Sequence, residues 1–448
     1  MAVVNLDEVK PQKEKREQNG QKAIPSTGAP GVRLSGHCPP RELTETLQVS
    51  YFTPIQNYPS GSAANPQPDG KPLPKLFTPL QIRGLTLHNR IMLSPLCQYS
   101  AENGHHTLWH FQHLGGIVSR GPGLAMVEST AVLPEGRVTP QCSGIWLDSQ
   151  IEPLKRMTDF AHSQGQKMGI QIGHGGRKAS TVAPWLSKGA VATEEVGGWP
   201  SDVKAPSAIP YDKEYAVPRA MTTQDIEDFK AAYGAAVKRA LKAGFDVIEI
   251  HSGHGRLLHQ FLSPASNVRT DKYGGSFENR TRLTLEVVEL TRAIIPDSMP
   301  LFIRISATDW LENTPYEGPS WTVEDSVRLA PLLADRGVDL IDVSSGGLHP
   351  AQKIDQVPNY QAPFAMRIKK AVGDRALVST VGRIVKGKQA NDLLEGKDGE
   401  PLDLTAVGRM FQKEPGLVWT WAEELGVQIH VANQIRWGFS RDKTIAQK

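Results

Sequence analysis

Eight short apolar runs, each followed by a segment with helical periodicity, constrain this chain more than any other feature. The runs are Arg90–Ser94, Leu124–Ala131, Met168–Gly173, Asp246–His251, Leu301–Ser306, Asp339–Ser344, Ala376–Val381 and Asp403–Val407. They are rich in β-branched residues and nearly continuous in apolar character, the pattern of strands buried on both faces. Between them lie His110–Arg120, Ile151–Ser163, Thr223–Ala243, Glu278–Ile295, Thr322–Arg336, Pro363–Val372 and Gly387–Leu394, with Leu417–Leu425 after the last run. Their apolar residues recur at helical spacing. Strand and helix alternate eight times, which predicts an α/β fold closed as a (β/α)8 TIM barrel rather than an open doubly wound sheet.

The first 75 residues differ from this body. They carry 11 of the 33 prolines and a charge-mixed run from Lys10 to Glu17. Such a stretch buries too little apolar surface to offset its ordering entropy. Residues 1–70 are therefore expected to form a disordered or loosely docked extension, and residues 71–448 the barrel domain. The segment from Leu43 to Tyr58 has enough apolar and aromatic residues to dock locally. A formal net charge of +3 argues against a nucleic-acid surface. No run approaches the ~18 apolar residues of a membrane span, and the amino terminus lacks a signal-peptide core. Acidic residues at Asp7, Glu8, Glu14 and Glu17 count against a mitochondrial transit peptide. Three cysteines, Cys38, Cys97 and Cys142, make no disulfide framework. A cytoplasmic protein acting on a small molecule, without nucleic acid or membrane, is the expectation.

In a barrel of this class the chemistry gathers where the strands end. The first run delivers Ser94, Pro95, Leu96, Cys97, Gln98 and Tyr99. The second gives Glu128, Ser129 and Thr130; the third Gln171 and the stretch His174–Lys178. The fourth ends in His251-Ser252-Gly253-His254-Gly255-Arg256, the fifth carries Arg304, and the sixth ends in Ser344-Ser345-Gly346-Gly347. The last two end in Gly382-Arg383 and Gly408-Arg409. Packing alone would not place polar, cationic and glycine residues at one end of every strand. The connections 174–222 and 345–361 are long, and long structured loops in a compact domain are usually functional.

Gly382, Arg383, Gly408 and Arg409 combine close backbone approach with guanidinium groups, which suits a phosphate. Each glycine alone could merely turn the chain. His251 and His254 lack the companions of a metal site, so no metal is expected. Two imidazoles at a strand end can instead donate to an oxygen that gains charge. His110 and His113 share that spacing but sit on an early helix, where a structural role is favoured. Arg304 lies in an apolar strand and must be paired, either with an anionic ligand or in a buried salt bridge. Cys97, beside Pro95 and Tyr99, suits a tuning role near a cofactor, with a packing role as the alternative.

These residues resemble the old yellow enzyme family of FMN-dependent ene-reductases. The resemblance rests on Leu76-Phe77-Thr78-Pro79-Leu80, on Asn89-Arg90-Ile91, on Ser94 to Ser100, and on the stretch from Asn267 to Arg280. The Cys97 and Tyr99 pair is similar to the class III, thermophilic-like subclass with fungal members. The resemblance spans about residues 76–439. It implies an FMN-binding barrel with NADPH or NADH as reductant, a substrate of the enone type, and a homo-oligomer. It implies that Ser94, Pro95, Leu96, Cys97, Ser129, Gln171 and Arg304 hold the flavin ring. The family usually has Ala where Ser129 stands. Gly382, Arg383, Gly408 and Arg409 would hold the flavin phosphate. His251 and His254 would bind the substrate carbonyl, with Tyr99 also touching the substrate. Arg436 resembles an arginine that reaches a neighbouring subunit's site, although its sequence context is not reproduced.

One residue departs from the pattern. The family normally has a proton-donating Tyr where Arg256 stands, and a guanidinium is a poor general acid near neutral pH. Water, Tyr99 or Tyr211 could take that task, or Arg256 could pair with an acidic substrate, a phosphate or a local carboxylate. The resemblance implies an NAD(P)H-dependent enzyme that reduces the C=C bond of α,β-unsaturated carbonyl compounds. One alternative is a biosynthetic flavoprotein whose outcome is isomerisation, desaturation or a substrate-specific reduction. Others are a non-catalytic flavin-binding protein acting through its tail, and a flavin-free phosphate-binding barrel such as a lyase.

Overall fold

Each of the eight runs contains a strand whose ends fall within one residue of the expected bounds. In the computed structural model, which describes residues 49–439 and 445–446, the strands are β1 (Ile91–Leu93), β2 (Leu124–Ala131), β3 (Met168–Gly173), β4 (Val247–Ser252), β5 (Leu301–Ser306), β6 (Leu340–Ser344), β7 (Leu377–Thr380) and β8 (Leu404–Val407). All pair in parallel, and β8 meets β1 with Val407 opposite Leu93, so the sheet closes into a barrel. Helices α1 (Leu108–Val118), α2 (Ile151–Ser163), α3 (Thr223–Lys242), α4 (Phe277–Ile294), α5 (Val323–Ala334), α6 (Ala362–Val372), α7 (Gly387–Glu395) and α8 (Leu417–Leu425) follow the strands in turn. This is a (β/α)8 TIM barrel. The short helices Leu257–Leu262 and Arg409–Lys413 escape the sequence pattern because neither is long enough to show a period.

Local chemistry fixes several helix starts. Thr222 Oγ1 accepts from the Asp225 backbone N–H at 3.1 Å, and the Asp225 carboxylate accepts from the Thr222 backbone N–H at 2.8 Å. Thr322 and Asp325 repeat this reciprocal cap on α5. Ser276 caps α4 by accepting from Asn279 N–H at 3.3 Å. On α1 the cap residue Thr107 donates its backbone N–H to His110 Nδ1 at 3.0 Å, so His110 serves the helix start.

The inside of the barrel is layered because alternate strand residues point inward. At the amino-terminal end Leu124, Met126, Val247, Phe302, Leu340 and Leu404 form an apolar plug. A hairpin of Leu80–Ile82 and Leu85–Leu87 closes beneath it. Two residues further along the same strands the character reverses. Glu249, Arg304, Asp342 and Ser379 face Gln171 in a buried polar layer. Gln171 Nε2 donates to Glu249 at 2.7 Å, Arg304 Nε to Asp342 at 2.5 Å, and Ser379 Oγ to Asp342 at 2.8 Å.

Of the extension expected over residues 1–70, residues 1–48, with Cys38, lie outside the described residues. Residues 49–70 run beside the segment that follows α8. Gly61 N–H donates to His430 O and Ala64 N–H to Gln428 O, both at 2.8 Å, and Tyr58 stacks on His430. Among the described residues no helix is long and apolar enough to cross a membrane.

Candidate active site

Above the polar layer, at the carboxyl ends of the strands, lies a cavity of about 1310 Å³. Pockets for single small ligands measure ~300–1,000 Å³. There is room here for a cofactor and a substrate together. Ser94, Pro95, Leu96, Cys97, Tyr99, Ser129, Gln171, His251, His254, Arg256, Arg304, Gly382, Arg383, Gly408 and Arg409 all line it. Arg436 does not. It sits in a one-turn helix and donates to the Ala446 carbonyl at 2.7 Å. Tyr211 also lies outside, against Lys178 and Tyr215.

The two histidines are held by a chain of hydrogen bonds. Gln361 Nε2 donates to the Val381 carbonyl at 2.5 Å, which turns its Oε1 toward Ser344 and Ser345. Ser345 Oγ donates to Oε1 at 2.6 Å and Ser344 Oγ at 3.2 Å. With the Ser344 hydroxyl donating there, its oxygen accepts from His254 Nε2 at 2.6 Å. His254 Nδ1 then accepts from His251 Nε2 at 3.3 Å, and His251 Nδ1 accepts from Ser129 Oγ at 3.0 Å. This order assigns the Nε2 proton to both rings. Burial lowers the pKa of both well below the ordinary imidazole value, and the neighbouring cations lower it further. They are neutral donors at neutral pH.

Backbone geometry supports this placement. His254 adopts a positive φ of 54°, and its N–H donates to Ser306 Oγ at 2.8 Å. Gly255 beside it could not carry a side chain, since a Cβ would lie 2.1 Å from the Gly347 carbonyl oxygen.

Arg304 meets both of its sequence expectations at once. It lines the cavity, donates to Ser94 Oγ at 2.7 Å, and is paired beneath with Asp342. Its buried partner Glu249 is pushed up to about 8 by desolvation. At the exits of β7 and β8, Gly382 (φ 121°) and Arg383 (φ 52°) turn the chain sharply, and Arg383 donates to the Gln356 carbonyl. Arg256, Arg304, Arg383, Arg409 and Lys413 line the cavity, and no Asp or Glu among the described residues does. The donor set fits a flavin mononucleotide: a cationic, glycine-lined corner for the phosphate, and amide, hydroxyl and guanidinium donors along the span for the ring.

Several contacts of the site were not legible in the sequence. Glu128 accepts from the Gln98 backbone N–H and from Ser143 Oγ, both at 2.8 Å, and so fixes the β1 exit that carries Cys97 and Tyr99. Burial pushes it up to about 8. A charged residue inside the apolar run of β2 is its only sequence signal. Cys142 accepts from the Thr139 backbone N–H at 3.3 Å and is drawn down to about 6 chiefly by the neighbouring Cys97 thiol, whose own value is raised. Trp185, from the long 174–222 connection, reaches the cavity and meets Tyr99 edge to face at 5.5 Å. Burial raises the Tyr99 phenol, which keeps its proton. No group of three or more His, Cys, Asp or Glu side chains able to hold a metal occurs among the described residues.

Over residues 75–428 the sequence matches the NADH:flavin oxidoreductase / NADH oxidase family. It is 56% identical over 396 residues to an NADH:flavin oxidoreductase of Gibberella zeae, covering 87% of this chain and 94% of that protein. Among solved structures it resembles morphinone reductase, with a TM-score of 0.63 and 27% identity over 80% of this chain and 91% of that one. It also resembles the old yellow enzyme homologue of Zymomonas mobilis, with a TM-score of 0.63 and 26% identity over 84% and 97% of the two chains.

Proposed function

This chain belongs to the NADH:flavin oxidoreductase / NADH oxidase family, with old yellow enzyme-like neighbours, and from that premise we propose that it reduces the C=C bond of α,β-unsaturated carbonyl compounds. Flavin-dependent oxidoreduction is the family's chemistry; the enone substrate and the class III assignment are our reading. The observation that carries it is the pair of neutral imidazoles, buried His251 and half-buried His254, joined at 3.3 Å and lining the cavity.

FMN, when bound, carries hydride from the nicotinamide to the substrate, and the protein supplies orientation and electrostatics. Ser94, Pro95, Leu96, Cys97, Ser129, Gln171 and Arg304 would hold the ring, and Gly382, Arg383, Gly408 and Arg409 the phosphate. A substrate carbonyl oxygen that gains charge would take the Nε2 protons of His251 and His254 from the acceptors that hold them in this structure, His254 Nδ1 and Ser344 Oγ. Ser129 at His251 Nδ1 and Ser344 at His254 Nε2 hold the two rings in orientation until that exchange. Arg256 supplies no acid, whereas the Tyr99 phenol lines the same cavity with its proton retained. Tyr99 or water then protonates the substrate α-carbon.

The test is the double variant His251→Ala, His254→Ala assayed on cyclohexenone with NADPH and with NADH. Removing such donors costs about 10²–10³ in turnover. Loss of reduction with FMN still bound is the expected result; turnover equal to the wild type rejects the role.

A further inference from the structure

We propose that Arg256 is the receptor for a carboxylate carried by the unsaturated substrate, so that the enzyme is selective for enones bearing an acid group. The proposal rests on the reduction reading above and adds the substrate class to it.

The cations of the site are not equivalent. Arg304 is paired with Asp342. Arg177, also buried, donates to the carbonyls of Leu348 at 2.8 Å and Ile209 at 3.3 Å. Lys178 Nζ donates to the Gly347 carbonyl at 2.7 Å. Arg383 and Arg409 stand at the β7 and β8 exits, where the flavin phosphate would neutralise them. Arg256 alone of these lacks such an explanation. Its Nε and Nη1 are buried and have no hydrogen-bond partner among the described residues. No carboxylate forms an ion pair with it there, and none lines the cavity. Arg256 as a whole is half-buried, but guanidinium N–H groups buried without an acceptor are costly.

Its neighbourhood is that of the reacting carbonyl. Arg256 begins the short helix Leu257–Leu262, two residues beyond His254. Its charge is felt at His251, His254, Tyr99 and Lys178. Arg256 helps to draw the Cys142 thiol down, but that sulfur already accepts from the Thr139 backbone N–H at 3.3 Å. A single guanidinium fork matches the two oxygens of a carboxylate. A phosphate would call for further donors, and Lys178 beside it is already committed to backbone.

The experiment compares acid and ester forms of one skeleton on the FMN-loaded enzyme. 4-Oxopentanoate and its methyl ester are titrated calorimetrically. The unsaturated pair, 4-oxopent-2-enoate and its methyl ester, is assayed for kcat/KM. The wild type is expected to bind the acid about tenfold or more tightly than the ester, the range of charge-assisted hydrogen bonds. Arg256→Gln should remove the preference, and Arg256→Lys, which keeps charge without the planar fork, should keep part of it. FMN content and melting curves show that each variant is folded. Equal binding of acid and ester by the wild type overturns the proposal. So does an acid preference that survives Arg256→Gln, since Arg383, Arg409 or Lys413 would then hold the acid. Acid-selective binding lost in Arg256→Gln supports the receptor even where neither enone is turned over; that failure counts against the reduction reading alone.

Discussion

The two ends of the barrel interior are built from the same strands and are opposite in character. On β5, Phe302 belongs to the apolar plug, Arg304 to the polar layer and Ser306 to the active end. On β6 the order is Leu340, Asp342 and Ser344; on β4 it is Val247, Glu249 and His251. Each step of two residues moves about 6–7 Å along the strand. The lower end contributes stability through packing. The upper end spends stability on polar groups whose partners must be supplied one by one. The middle layer makes the change possible, because Arg304 pairs with Asp342 and donates to Ser94, while Gln171 donates to Glu249.

That contrast can be broken most severely in the middle layer. Asp342→Ala leaves Arg304 buried beside Glu249 without its main partner, and a loss of about 3–5 kcal/mol is expected. Denaturant titration measures it, and FMN content should fall with it. An unchanged midpoint would show that the polar layer is not what holds Arg304. In the plug, Leu340→Ala should cost about 2–5 kcal/mol through the cavity it opens. Its folded fraction should keep wild-type KM, and a raised KM would deny that the two ends act separately.

The pH dependence sharpens the comparison further. Glu128 is raised to about 8 in the folded protein, so between the ordinary carboxyl value and 8 the unfolded chain has lost a proton that the folded chain keeps. Its contribution to stability therefore declines as pH rises through that window, by about 1 kcal/mol per pH unit, and levels off above 8. Glu128→Gln should make the decline shallower by that amount when unfolding is followed between pH 5 and 8.5, leaving the contribution of Glu249, which is also raised to about 8. His251 and His254 act in the other direction. Their folded values are depressed, so their contribution is present above the ordinary imidazole value and declines on acidification below it. The smallest effect is expected at Ser344→Ala, which frees His254 Nε2 from its acceptor. A loss of roughly threefold to tenfold in kcat should follow from about 1 kcal/mol of orientation, with the melting temperature little changed. Wild-type kcat would mean that Ser129 and the ring contact alone orient the pair.

Much of the fold could be read from the chain because its signals are local. An apolar run and a following amphipathic period each lie within a few residues, so strand bounds and helix positions were accessible. The glycines and arginines at the strand ends were accessible for the same reason. The contribution of Trp185 was not, because the 174–222 connection has no period and its path depends on what it packs against. Glu128 and Asp342 were visible only as charged residues in apolar runs, without their partners. Arg436 was matched by resemblance to an arginine reaching a neighbouring subunit's site, with a surface arginine as the equal alternative; within this chain its guanidinium donates to the Ala446 carbonyl.

By itself the sequence determined the number of strands, the end of the barrel where polar side chains collect, and the two imidazoles that stand there. Only the tertiary structure decided which cations are neutralised from within and which is left facing the cavity. It also set the direction of the proton order through Ser129, His251, His254 and Ser344. The physical reason is distance along the chain. Arg304 meets Asp342 38 residues away and Ser94 210 residues away. Such pairings, and the lack of one at Arg256, exist only once the barrel has closed.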